Sequence, residues 1–418
     1  MNPHLRQILL IAAFAVLIVA FGYIIYVVFF KPAVPVLLRN NRNEFVNGLP
    51  ALGNGNVNRL GPTGNTNALP IVNALIPAQS ASKIANGGPT FSDTLVGDVT
   101  SGLAPSGDHT ALQYYDQVTG QFFHLAPDGS SKTLLSDVVY KDVQQITWSP
   151  DGNKAILEFP DGSKILYDFG AKKQTTLPKE LNNFSFSPSS DQLVSKFLDA
   201  ANQENQWLVI TKPDGSQSQT VEHLGANAGL VIPDWSPNSQ VVATYQKAAD
   251  GAHSEIVFLG ANGENFPSLT INGRGFAPNW SPDGQRLLYS AYSSVTDDNP
   301  RLFITNGSPS GLGSNTYDLG LTTSADKCTF SLNGSAVYCA VPYYMNPGSG
   351  PQPELSAGIP DNMYKIDLNT GAATVIARPV DRNLNQRFSA ANLQLTPRED
   401  ALYFTDAITG TVQKIQLR

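Results

Sequence analysis

The sequence predicts an all-β fold: a seven-bladed β-propeller of four-stranded blades over residues 91–418, preceded by a transmembrane helix at 7–30 and a disordered linker at 31–90. Three observations predict it. The 418 residues are 41% hydrophobic yet carry 35 Gly and 29 Pro, a composition of many turns rather than long helices. A short turn motif recurs through the carboxyl-terminal three-quarters of the chain. Each recurrence is followed by a second hairpin of alternating residues, so the unit holds four short strands.

At the amino end, residues 1–6 form a short tail ahead of Ile8 to Phe30, "ILLIAAFAVLIVAFGYIIYVVFF", which is 23 residues without a charge. As a helix at about 1.5 Å per residue this run spans roughly 35 Å, enough to cross a bilayer. A cleaved signal peptide needs a small-x-small site, and "YVVFFKPAVPV" offers none, so an uncleaved anchor is expected. Residues 31–90 are rich in Asn, Gly, Pro and Ala with no sustained period of 2 or 3.6, the pattern of a flexible tether.

The repeat is clearest in "ITWSPDGNKAILEF", residues 145–158. Pro is pre-set for the second position of a type I turn, Asp bonds its own backbone, and Gly accepts the positive φ that closes the turn. Aligned on that turn, the units begin at Leu103, Trp148, Phe186, Trp235, Trp280, Phe330 and Leu395, at steps of 45, 38, 49, 45, 50 and 65 residues. Such steps match the period of four-stranded blades. A single blade leaves both faces apolar, so units must stack in a ring, with Trp148, Trp235, Trp280, Phe186 and Phe330 as inner-strand wedges against the neighbouring blade. Second hairpins follow at 112–125, 164–177, 363–376 and 401–417.

Two details of closure follow from the same reading. The last unit runs out after three strands, while "FSDTLVGD" (91–98) has no other partner, so a strand from the amino end should complete the last blade. Cys328 and Cys339 flank the turn of the sixth unit. A four-residue loop puts them opposite each other, where a disulfide can form, and a three-residue loop puts Tyr338 opposite Cys328 and turns Cys339 to the other face.

These motifs resemble the Trp-Ser-Pro-Asp-Gly repeats of TolB-type propellers, also called Trp-Asp-like repeats, over about residues 91–418. The resemblance implies the fold strongly and the function weakly, because such relatives include periplasmic scaffolds and the propeller halves of prolyl-oligopeptidase-type peptidases. The chain departs from TolB in carrying an anchor and tether in place of a small amino-terminal domain. After the last unit the sequence to Arg418 leaves no room for a hydrolase domain.

Catalytic signatures are absent from the sequence. "GSPSGLG" at 307–313 does not fit a nucleophile elbow, and His4, His109, His124, His223 and His253 are scattered. Asp297 and Asp298 lack the spacing of a calcium loop. No cofactor and no metal are expected. With charged residues at 15%, a net charge of -7 and a pI near 5.2, there is no basic stripe for nucleic acid.

Function is therefore sought in the connections from second to third strand, which vary at 198–206, 246–254, 292–301 and 342–362. In a propeller these emerge on the face opposite the Pro-Asp-Gly turns, where long loops on a rigid scaffold carry binding. Tyr292, Asp297, Asp298, Tyr343, Tyr344 and Met345 are the candidate partner-binding residues. The expected function is a membrane-anchored, non-enzymatic interaction platform for envelope proteins. The alternatives are an enzyme acting on glycans or peptides at the central pocket, and a small-ligand sensor. Lys31, Arg39 and Arg42 follow the anchor and favour a cytoplasmic propeller, whereas low charge, the tether and the paired cysteines favour an extracytoplasmic one. The second orientation is expected.

Overall fold

A computed structural model describes residues 80–418. The anchor expected at 7–30 and the expected linker up to residue 79 lie outside the described residues. Within the described residues no helix is long and apolar enough to cross a membrane.

Seven sheets, antiparallel apart from one added edge strand, follow one another along the chain, and the fold is a seven-bladed propeller. Blade 1 runs from Thr100–Pro105 through Lys132–Leu134, and blade 2 from Gln145–Trp148 through Lys173–Leu177. Blade 3 spans Leu181–Phe186 to Gln219–His223, and blade 4 Val231–Pro233 to Leu269–Asn272. Blades 5 and 6 begin with the inner strands Arg274–Trp280 and Cys328–Phe330. Blade 7 contributes Ala390–Leu395, Ala401–Asp406 and Val412–Gln416.

One hydrogen-bond pattern builds the inner corner of every blade. The hydroxyl of Ser149 donates to Asp151 at 2.5 Å and accepts the Lys154 N–H at 2.9 Å, while the Ser149 N–H donates to the Lys154 carbonyl across a four-residue loop. Ser106, Ser187, Ser236, Ser281, Ser331 and Thr396 do the same, with Asp108, Asp191, Asn238, Asp283, Asn333 and Asp400 as the acceptors. In each turn one residue is left-handed: Gly152, Gly284 and Gly334, but also His109 (φ 56), Ser190 (φ 61), Ser239 (φ 61) and Glu399 (φ 55). A non-glycine residue there carries a steric cost.

This pattern corrects the register of the first unit. Ser106 holds the place of Ser149, so Pro105 and not Leu103 stands where the tryptophan does in blade 2. "Leu-Ala-Pro-Ser-Gly" imitates the motif two residues early because its Pro and Gly have the right spacing. The partner that fixes the true register is Asp108, whose carboxylate also takes the Thr110 N–H.

Packing between blades explains the aromatic position. Seven apolar clusters each bridge adjacent blades among the described residues. Trp148 sits edge-on to Phe122 of blade 1, and its Nε1 donates to the Gly102 carbonyl at 2.7 Å. Phe186 packs with Ile156 and Leu166 of blade 2, Trp235 with Val194 and Leu208 of blade 3, Trp280 with Phe258 of blade 4, and Phe330 with Leu288 and Leu302 of blade 5. Leu103, two residues before its aligned place, buries itself against Ala401 and Tyr403 of blade 7.

The ring closes with a strand from the amino end. Asp93–Val96 pairs antiparallel with Val412–Gln416 and gives blade 7 its fourth strand, as the sequence implies. Beyond that expectation, Pro89–Phe91 adds a fifth strand to blade 6, parallel to Ala373–Val380. The segment from Ser82 to Gly87, assigned from sequence to the end of the linker, lies along the same two blades: Ala85 donates to Gln416 and Gly87 to Ile376. In blade 6 the loop has four residues, Cys328 stands opposite Cys339, and the two are joined by a disulfide.

Candidate functional site

On the face opposite the repeated turns, two connections are joined. In blade 5 the chain leaves Arg286–Tyr292, makes a short 3-10 turn at Ser294–Thr296 and rejoins the sheet at Arg301–Asn306. Asp297 (φ 53) and Asp298 (φ 52) are both left-handed. Their carbonyls face the long connection of blade 6, where the Gly348 N–H donates to Asp297 at 2.8 Å and the Gly350 N–H to Asp298 at 2.7 Å. The Ser349 N–H donates to the Asn299 side chain at 3.2 Å. Gly350 is required by close approach, since a Cβ there would lie 2.4 Å from the Tyr292 ring.

The blade 6 connection, between Ala336–Pro342 and Asp361–Asp367, also folds on itself. The Asn346 amide donates to the Leu355 carbonyl at 2.6 Å, and the hydroxyls of Ser349 and Ser356 meet at 2.5 Å. Its root is held by Lys327, whose ammonium donates to both oxygens of the fully buried Asp361 at 2.8 Å. Burial pushes the Asp361 carboxyl up, with Lys327 and the Ala390 N–H pulling against it.

The sequence candidates thus converge on one surface. Tyr343 is 72% exposed and Tyr344 57%, and Val295 at 91% and Leu355 join them. Met345 and Tyr292 are half-buried beneath. Sequence reasoning missed Val295 and Leu355, because their exposure is set by how the two connections turn. It also took 246–254 for a loop, whereas strands Val241–Ala248 and His253–Gly260 extend the hairpin of blade 4 through most of that stretch.

A second feature is a cavity of about 470 Å³ lined by residues in and beside the inner strands of blades 1, 5, 6 and 7, among them Asn279 and Gln394 on the strands, His109 in the turn of blade 1 and Asp326 just before the inner strand of blade 6. Asp326 is exposed there, yet the protein atoms crowded around it push its carboxyl up. Asp234, next to the inner strand of blade 4, also keeps some solvent contact, and crowding pushes it up to about 7. Neither carboxylate was singled out from sequence, since an isolated Asp before Trp235 or after Ser324 carries no motif. The other described histidines lie elsewhere: His253 pairs with Asp250, His223 bonds the Glu204 carbonyl at 2.6 Å, and burial holds His124 below its ordinary range. Among the described residues no three His, Cys, Asp or Glu side chains gather to hold a metal.

No family model matches the chain, and no curated protein matches it. Solved structures do. The chain is similar to the propeller domain of Cps50 (Swd1) from Myceliophteria thermophila at 13% identity and a TM-score of 0.50, covering 78% of this chain and 100% of that one. An oligogalacturonate lyase in complex with manganese matches at 12% identity and a TM-score of 0.48, over 78% of this chain and 93% of that one. The tricorn protease matches at 11% identity and a TM-score of 0.46, over 79% of this chain and 34% of that one. At such identity the likeness to the Swd1 domain shows the fold, in agreement with the seven sheets.

Proposed function

We propose that the chain is a non-enzymatic protein-interaction platform at the cell envelope, of the TolB-type, anchored in the membrane by residues 7–30 with its propeller on the extracytoplasmic side. One observation carries the platform reading: the joined connections of blades 5 and 6 present Val295, Tyr343 and Tyr344 together on a braced support. Rigid exposed aromatics lose little entropy on binding, which suits them to anchor an interface. Residues 292–300 and 343–360 contain Asp297, Asp298 and Glu354 but no Lys or Arg. The partner is accordingly a protein with an apolar patch rimmed by basic residues. The uncharged run at 8–30 and the motif resemblance support the anchor and the envelope setting.

A photo-crosslinking residue placed at 344 in intact envelopes should trap a discrete protein, and one at Leu332, exposed on the opposite face, should not. Equal trapping from both positions, or none from 344, overturns the reading. A second reading, an enzyme on glycans or peptides at the central pocket, draws on His109 and Asp326 in one cavity and on Asp234 poised near 7. Turnover of an oligosaccharide or peptide that is lost in Asp326→Asn and Asp234→Asn, with folding intact, would favour it over the platform. The small-ligand sensor has no comparable observation behind it.

A further inference from the structure

Lys196 lies on the second strand of blade 3, Leu193–Leu198, where Ser195 is the only other polar residue, and only 8% of it is exposed. It stands nine residues after the turn serine, as Tyr115 does in blade 1 and Ser290 in blade 5. Those positions latch one blade to the start of the next: the Tyr115 hydroxyl donates to the Tyr140 carbonyl, and Ser290 accepts the Ala325 N–H. Lys196 does the same work, donating to the carbonyls of Ala228 at 3.0 Å and Val231 at 3.1 Å. A neutral hydroxyl suffices for that latch elsewhere. Lys196 adds a full positive charge, and among the described residues no carboxylate pairs with it.

A buried ammonium without a counter-charge is costly, and burial alone holds its pKa below the ordinary lysine range. Two carbonyls occupy two of its three donors. Lys196 also lines a cavity of about 380 Å³ where the inner strands of blades 2, 3 and 4 begin, together with Gln145, Asn183 and Ile232. Asn183 is left-handed (φ 55) at a bulge in its strand, and the side chains of Asn183 and Gln145 make no hydrogen bond among the described residues. No acidic residue lines this space.

We propose that this cavity is a carboxylate-binding site, with the Lys196 ammonium as its charge anchor and the Asn183 and Gln145 amides as flanking donors. One cation with two amide donors matches a single planar carboxylate group. The volume lies at the small end of ligand pockets, so the occupant is a small organic acid or the carboxyl terminus of a partner chain. The carboxylate supplies the counter-charge that the fold omits.

The test is thermal unfolding and calorimetry of the full chain in detergent, at ionic strength fixed with sodium chloride. The probes are succinate, its uncharged diamide, and the tripeptide Gly-Gly-Ala with a free or an amidated carboxyl end. Succinate or the free-acid tripeptide should bind saturably and raise the melting temperature, and the uncharged counterparts should not. Asn183→Ala should weaken binding at least ten-fold, and Lys196→Met should abolish it. Because Lys196→Met also removes the latch and can fail to fold, Asn183→Ala, which touches no latch carbonyl, decides in that event. Preference for succinate assigns a free acid and preference for the tripeptide a chain terminus. Binding of neither acid, equal binding of the uncharged probes, or undiminished binding to Asn183→Ala overturns the site.

Discussion

The two faces of the ring are built by opposite rules. On one, seven turns repeat the same Ser or Thr, the same carboxylate or amide acceptor and the same left-handed residue, and neighbouring turns touch: Ser190 accepts the Asp151 N–H, and Asn238 donates to the Gly284 carbonyl. On the other, the connections range from residues 117–120 in blade 1 to residues 343–360 in blade 6. The repeated face has one structural task seven times over, so its chemistry is held constant. The other face is free to differ, and its two most elaborate connections are the ones bound to each other. Stability is therefore expected to reside in the repeated corners and the ring closure, and recognition in the joined connections.

The largest effect expected is on ring closure. Deleting residues 89–96 removes the fourth strand of blade 7 and the fifth of blade 6 and leaves two open edges. Its melting temperature should fall further than that of any single substitution below, and a deletion of 45–60 should leave it unchanged. Equal effects of the two deletions would refute the closure.

Next comes a structural charge pair on the divergent face, Lys327 with the buried Asp361. Lys327→Ala leaves Asp361 buried and uncompensated, at a cost of about 3–5 kcal/mol near pH 7. The folded pKa of Asp361 already lies above its ordinary value, so its favourable contribution is full at low pH and is lost as pH rises through the folded pKa. The variant's deficit should therefore shrink toward pH 4. A deficit independent of pH would mean that lost packing, not charge, is the cause.

A smaller loss is expected at the turn end of blade 6. Cys328→Ala with Cys339→Ala opens a short loop and should cost about 2–3 kcal/mol in denaturant unfolding under oxidising conditions. Under reducing conditions only the smaller cost of removing two buried sulfur atoms should remain.

How much of this was legible in the sequence follows from the range of the contacts involved. The repeated corner is local: its bonds span five residues or fewer, so Ser149 to Lys154 can be read off the chain, and the same regularity gave the blade count. Where a decoy shared the spacing, as at Leu103 to Gly107, reading failed by two residues, since only the Ser106 to Asp108 bond separates the alternatives. The strand Pro89–Phe91 left no local sign, because its partner Ala373–Val380 lies at the far end of the chain. Tyr343 and Asp297 were each visible as unusual loop residues. That they share a surface depends on carbonyls of left-handed residues meeting glycine N–H groups in another blade, which no local pattern encodes. Lys196 was passed over because a single Lys in "LVSKFL" reads as an ordinary strand residue until its burial is seen.

A gain rather than a loss is expected from Ser239→Gly. Ser239 is exposed and left-handed, and its hydroxyl makes no hydrogen bond among the described residues, so glycine relieves strain without removing a contact. The gain should be roughly 0.5–1 kcal/mol after the larger chain entropy of glycine is set against it. A loss would show that the turn tolerates its left-handed serine at no cost.

The smallest effect on stability is expected at the exposed tyrosines of blade 6. Tyr343→Ser with Tyr344→Ser removes two side chains that are mostly in solvent, while the bonds bracing the connection run through Gly348, Ser349, Gly350 and Asn346 and stay in place. Exposed positions away from caps and cores change stability by no more than about 0.5 kcal/mol, so unfolding should be unaltered. Partner crosslinking from a neighbouring position such as Leu355 should nevertheless fall at least ten-fold, since centrally placed aromatics carry most of an interface's energy. Asp297→Asn with Asp298→Asn should act differently, reducing association mainly at low salt, because rim charges steer encounter and are screened as ionic strength rises. A double serine variant that unfolds early would make the tyrosines part of the scaffold and erase the division between the faces. One that folds normally and still crosslinks would leave the division standing and place the recognition energy on residues of the joined connections other than the two tyrosines.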